Sequence, residues 1–186
     1  MAEKKTDRRT LKTQKALRDA LAQLLAEKQL HKVTVQEIAD LAEVNRVTFY
    51  KHYLDVYDLY EKLESDVLVE LGLLILRLGE LSEEDFYEGL LDYISDNRAV
   101  FAMIFSPNST GEIRDKFAKL MEGLFRQMTT EEGVSEESDM IEYYGCYRAQ
   151  GCLAVIARWV AGGLSLPKER VREILSELDG NTAAIM

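Results

Sequence analysis

The run Arg46-Val47-Thr48-Phe49-Tyr50-Lys51-His52 concentrates side chains that bond phosphates and base edges. An arginine at Arg46 presents a fork that fits O6 and N7 of guanine. The Thr48 hydroxyl can donate to a phosphate, and its methyl can touch that of thymine. Tyr50 and His52 suit phosphate oxygens, and Lys51 suits either target. Thr34 and Gln36 stand where a helix should begin, and free backbone N–H groups there favour phosphate. Catalytic chemistry has no comparable cluster. His31 and His52 lack spaced partners for a metal site, and no Gly-x-Ser-x-Gly, P-loop or Gly-x-Gly-x-x-Gly occurs. The carboxylate pairs Glu83/Glu84, Glu131/Glu132 and Glu136/Glu137 read as solvated caps. The chain is therefore expected to be no enzyme and to use no cofactor and no metal.

The elements that must position these side chains are legible around them. Thr34 followed by Glu37 is a capping box, and Val35, Ile38, Ala39 and Ala42 give one apolar helical face. Glu43, Val44 and Asn45 form a turn, with Asn45 as N-cap of a second short helix, Arg46 to Tyr53. Helix, tight turn and polar second helix make a helix-turn-helix. A preceding helix, from about Thr10 to Lys28, offers Leu11, Leu17, Leu21, Leu24 and Leu25 as a buried stripe, after a polar, mobile lead over residues 1–8. Val33, Ile38, Leu41, Val44, Val47 and Phe49 are expected to pack on it, with Phe49 and Tyr53 in the core. So small a core is marginal alone. Leu59, Leu63, Val67, Leu71, Leu74 and Leu78 supply the stripe of a bracing fourth helix, which starts at the carboxylates Asp55 and Asp58 and runs to about Gly79.

The order Thr-Val-x-x-Ile-Ala-x-x-Ala-x-Val-Asn-Arg-x-Thr-Phe-Tyr-x-His-Tyr over residues 34–53 resembles the DNA-binding domain of TetR-family transcriptional regulators. Arg9, Thr10, Ala16, Leu17, Leu24 and Leu25 before it, and Asp55, Asp58 and Leu59 after it, extend the likeness to the first third of the chain. The resemblance implies DNA contacts from Thr34, Gln36, Arg46, Val47, Thr48, Tyr50, Lys51 and His52, with Tyr50 and His52 on phosphates. Two positions depart from the family pattern. The usual turn glycine is Glu43, and a lysine often found at the start of the fourth helix is Val56.

Net charge is −10, but its distribution is uneven. Residues 1–53 hold eleven Lys/Arg and seven Asp/Glu, and residues 54–186 hold twelve and twenty-six. The basic end coincides with the helix-turn-helix, and an acidic remainder would orient the molecule on DNA. Only two prolines occur and no strand-like alternation is visible, so an all-α fold is expected. The charged start MAEKKTDRRT lacks the apolar segment of a secretory signal, and the patch Leu68–Leu78 is broken by Glu70 and Arg77. The expected compartment is the cytoplasm, on the nucleoid, with no membrane association. Cys146 and Cys152 fit no intrahelical disulfide and read as reduced core residues.

The body is expected to carry a helix capped by Ser82 with Phe86, Leu90, Leu91, Tyr93 and Ile94, and a short segment from Val100 to Phe105. A helix from Ile113 to Met128, an acidic loop to Ser138, a helix from Met140 to Val160 and a last one from Pro167 to about Leu178 follow. Met140–Val160 is apolar on nearly every side, as a helix buried all round would be. Gly145, Ala149, Cys152, Ile156 and Val160, with Val171 and Leu175 on the last helix, are read as a homodimer seam. The family's layout implies a four-helix dimer bundle there. Tyr93, Met103, Phe105, Met121, Phe125 and Tyr144 could line a cavity but read equally as plain core, so the ligand site stays open. The chain thus divides into a head, 1–54, and a regulatory and dimerisation domain, 55–186. The expected function is a homodimeric transcriptional regulator on a double-stranded operator, a repressor relieved by a small-molecule effector. The alternative is a co-activator or adaptor acting mainly through a partner protein.

Overall fold

The computed structural model describes residues 2–78, 81–109, 111–131 and 139–183, and among them every regular element is helical. The elements are α1 (Ala2–Glu27), a 3-10 turn at Leu30–Lys32, α2 (Val35–Leu41), α3 (Arg46–Phe49), α4 (Val56–Leu78), α5 (Glu83–Asp96), α6 (Arg98–Ile104), α7 (Glu112–Glu131), α8 (Asp139–Ala161) and α9 (Lys168–Ala183). The all-α fold is as expected. The expected helix end at Gly79 and the stretch 132–138 of the acidic loop lie outside the described residues, while Thr129–Glu131 continue α7.

Two compact units emerge, Met1–Val67 with Ala99–Thr110, and Leu68–Arg98 with Gly111–Met186. The division differs from a break after residue 54. The first turns of α4 belong to the head because Val56, Leu59, Leu63 and Val67 are buried like the core residues of α1 to α3. That core comprises Leu17, Leu21, Leu25, Ile38, Phe49 and Tyr53 among others. After α6, the Ser106 hydroxyl donates to the Ala26 carbonyl at 3.1 Å, satisfying a backbone acceptor at the end of α1.

Helix α1 starts at Ala2, not near Thr10, so the expected mobile lead is helical. Among its described side chains the first buried one is Leu17, so Leu11 is exposed and not part of the buried stripe; Leu24 is half-buried. Helix α4 is capped on both sides of its start. Asp55 accepts from the Asp58 N–H at 2.9 Å, and Asp58 accepts from the Leu54 N–H at 2.8 Å.

In the second unit, α7 packs along α8, and α5 along α9. One face of α8 meets the protomer's own core, with Ile141, Tyr144, Cys152, Leu153, Ile156 and Trp159 buried, and another leaves Met140, Tyr143 and Tyr147 exposed. The ridge read as a dimer seam faces the protomer's own core. A side chain added at Gly145 would sit 2.6 Å from Arg126 Cγ and 3.3 Å from the Glu122 carbonyl, both on α7. Gly145 therefore serves the close approach of α7 and α8. Ala149, Cys152, Ile156, Val160, Val171 and Leu175 are buried with it. Helix α8 ends as expected at Gly162-Gly163, with Gly163 at φ +68 and the Leu164 N–H returned to the Trp159 carbonyl at 3.0 Å.

One buried polar cluster joins three of these helices. Arg148 of α8 donates from Nε to Asp179 Oδ1 at 2.6 Å and from Nη2 to Oδ2 at 2.5 Å, and Tyr87 of α5 donates to the same carboxylate at 2.7 Å. The guanidinium also lies 4.4 Å from the Phe125 ring centroid. Burial opposes the charge on Arg148, but the hydrogen bonds and charge of Asp179 outweigh it and push its pKa up. Burial, followed by the charges of Cys152 and Asp179, pushes the Tyr87 phenol up. Arg148→Met or Asp179→Leu alone should cost about 3–5 kcal/mol, since each strands a buried charge. The double variant should recover much of that loss. Urea denaturation of the four proteins checks it, and a double variant as unstable as the worse single one would contradict it.

Candidate DNA-binding site

The capping box expected at Thr34 is complete. Thr34 Oγ1 accepts from the Glu37 N–H at 3.3 Å, and the Glu37 carboxylate accepts from the Thr34 N–H at 3.0 Å. Lys28, just past α1, donates to Glu37 at 2.5 Å. The Lys28 bond first, then those from the Thr34 hydroxyl and backbone, hold the Glu37 carboxyl down at about 2. The start of α2 is thereby tied to the end of α1. Gln36 is exposed and donates to Asp40 at 2.6 Å.

The end of α2 is a Schellman motif. The Val44 N–H reaches back to the Ala39 carbonyl at 2.9 Å, and the Glu43 N–H to Asp40 at 3.1 Å. Glu43 sits at φ 54, the left-handed conformation that glycine takes without cost. Asn45 then caps α3 by accepting from the Val47 N–H at 2.8 Å.

Regular α3 is shorter than expected, ending at Phe49, and the chain continues in tighter turns through His52. Phe49 is fully buried and Tyr53 nearly so, as expected of core residues. Arg46, Val47, Tyr50 and Lys51 are exposed, and Thr48 and His52 are half-buried. Val47 at 65% exposure does not pack on α1, because two residues of helix place it on the side opposite Phe49. Leu41, in the last turn of α2, is also exposed. The contact candidates thus share one short solvent-facing segment. Within it, Arg46 lies 5.9 Å from the Tyr50 ring centroid and donates to its hydroxyl at 3.4 Å. That pair is beyond a residue-by-residue reading of the sequence, although the i, i+4 spacing permits it.

A family model described as bacterial regulatory proteins, tetR family, matches residues 17–63, and one described as transcriptional regulator C-terminal region matches residues 82–178. The chain belongs to the TetR family of transcriptional regulators. This TetR-family chain is 23% identical over 171 residues to the HTH-type transcriptional regulator YxbF of Bacillus subtilis (strain 168), across 87% of its own length and 43% of that protein. It therefore spans less than half the length of that relative. Among solved structures, the fatty acid degradation regulator FadR from Bacillus halodurans shares its fold with a TM-score of 0.68 at 16% identity, covering 89% of this chain and 93% of that one. A TetR-like regulator from Rhodococcus sp. RHA1 gives 0.66 at 18% identity, with 92% and 96% covered. The dihydroxyacetone kinase operon activator DhaS gives 0.58 at 19%, with 92% and 94% covered.

In this TetR-family protein the second unit carries a cleft of about 520 Å³. Tyr87, Cys146, Tyr147, Arg148, Leu178 and Asp179 are among its lining residues. None of the cavity candidates weighed from the sequence, Tyr93, Met103, Phe105, Met121, Phe125 and Tyr144, lines it.

The left-handed turn residue makes a simple test of the head. Glu43→Gly should stabilise the protein by about 1 kcal/mol, and Glu43→Val should destabilise it. Thermal unfolding of both variants reads the effect. A destabilised glycine variant would mean that the Glu43 side chain contributes more than its backbone costs.

Proposed function

We propose that the exposed segment from Arg46 to His52, with Thr34 and Gln36, is the DNA-reading surface of a regulator that binds a double-stranded operator. The observation carrying this reading is the burial of Phe49 together with the exposure of its polar neighbours. Arg46 reads a base edge, Tyr50, Lys51 and His52 hold phosphates, and Thr34 and Gln36 contribute from α2. The protein acts in the cytoplasm, on the nucleoid, as a repressor. A small-molecule effector relieves repression by binding the non-DNA form better, since only differential affinity shifts the balance. Arg46→Ala should weaken specific binding by about 1–3 kcal/mol and relax preference at one base pair. A duplex selected from a random pool by the parent protein is the probe, with affinities read by fluorescence anisotropy. Equal affinity of both proteins for that duplex would remove the base-reading role.

Action mainly through a partner protein is the second reading. Val56 supports it: a position that could have faced phosphate as lysine is buried in the core. Weak, salt-insensitive binding to the selected duplex would favour it.

TetR-family regulators act as dimers. We infer that a second copy seats on the outward face of α8, where Tyr143 and Tyr147 stand exposed beside Gly151, with Leu178 of α9 next to them. This face replaces the inward ridge at Gly145 to Val160. Tyr147→Glu should give folded monomers in sedimentation at micromolar concentration, because a charge on that row loses its water on association. A Tyr147→Glu protein that remains dimeric would place the seam elsewhere.

A further inference from the structure

The basic charge of the head is not on its helix-turn-helix. Residues 16–53 hold five Lys/Arg and five Asp/Glu, whereas residues 1–15 hold six and two. The whole positive excess of the head therefore lies in the first half of α1. That half is helical, yet among its described side chains, residues 8–16, none is buried. A helical stretch whose described side chains, residues 8–16, bury nothing gains little from the fold, and short helices are marginal alone in water. Arg8, Lys12 and Lys15 recur at i, i+4 and i+7, so they share one face, and Arg9 adjoins it. All four are exposed, and none is in an ion pair with another described residue, whereas Arg18 and Lys28 further along are paired with Asp66 and Glu37. Leu17 and Leu21 point to the core from the opposite side of the helix, so the cationic face is turned outward.

We propose that this face is a phosphate-binding ridge for the backbone of duplex DNA, supplying sequence-independent affinity while the segment from Arg46 to His52 supplies selectivity. The proposal rests on the DNA-binding reading above and assigns its electrostatic part to residues outside the helix-turn-helix. Cations aligned along about 10 Å of helix, at 1.5 Å per residue, match a strand that carries a phosphate roughly every 3.4 Å per nucleotide step. An outward row of unpaired cations in a chain of net charge −10 has a natural counterpart in a polyanion.

The test compares two triple variants of the full chain. One is Arg8→Gln/Lys12→Gln/Lys15→Gln. The other is Arg114→Gln/Lys119→Gln/Arg158→Gln, which removes the same charge from exposed positions in the second unit. Glutamine keeps helix propensity, and circular dichroism confirms the fold. Binding to a 40-base-pair random-sequence duplex is titrated from 20 to 300 mM KCl. The ridge variant should lose about 2–3 from the slope of log affinity against log salt, at about 0.9 per phosphate contact. Its ratio of affinity for the selected duplex to affinity for the random one should stay unchanged. The second variant should keep the parent slope. Equal slopes for parent and ridge variant, with binding intact, would overturn the ridge and leave the DNA-reading surface standing. An equal loss from both variants would reduce the effect to net charge and overturn it too. Low-salt self-association abolished by the ridge variant, with an unchanged slope, would assign the ridge to the acidic surface of another copy. A parent that binds no random duplex at 20 mM KCl overturns the ridge, while the selected-duplex comparison with Arg46→Ala judges the reading surface separately.

Discussion

Phe49 holds the exposed polar segment of the head in place. A helix of four residues has no stability of its own, because nucleation costs more than so few hydrogen bonds return. Segment 46–52 keeps its shape by burying Phe49 completely and packing it 5.5 Å from Tyr50 and 5.7 Å from Tyr53, centroid to centroid. Arg46, Tyr50 and Lys51 face solvent because Phe49 does not. The Schellman turn and the Asn45 cap aim that anchor, and the Lys28–Glu37–Thr34 bonds fix the helix before it. The polar display is thus a by-product of one buried aromatic side chain.

The same logic separates selectivity from affinity. A reading surface needs few side chains in fixed places, which a net-neutral helix-turn-helix provides. Attraction to a polyanion needs charge but little precision, and an outward helix face is sufficient for it. A strongly acidic second unit is compatible with both, since it disfavours orientations in which the body meets DNA.

Much of the head was legible because its signals are local. Thr34 with Glu37, Asn45 before Arg46, and Asp55 with Asp58 specify helix starts through bonds two or three residues long, and each forms. The family resemblance rested on the same stretch. Features that depend on which side of a helix meets which neighbour were not legible. Leu11 looked like a continuation of the Leu17 stripe, but the core stops short of it. Gly145, Ala149 and Cys152 looked like a seam for a second copy, and small residues at that spacing suit any close helix pair. For Gly145 the partner is α7 of the same chain. The Arg148–Asp179 pair spans thirty-one residues, and nothing local announces it.

The two cysteines, six residues apart on α8, have unlike surroundings. Burial, and after it the charge of Asp179, pushes the Cys152 thiol up, so little thiolate forms to react. Cys146 is exposed at the rim of the cleft. The native chain therefore offers a single addressable sulfur for a maleimide dye, without any cysteine having to be removed. That dye would sit on the outward face of α8, where fluorescence quenching between labelled copies reports directly on their proximity.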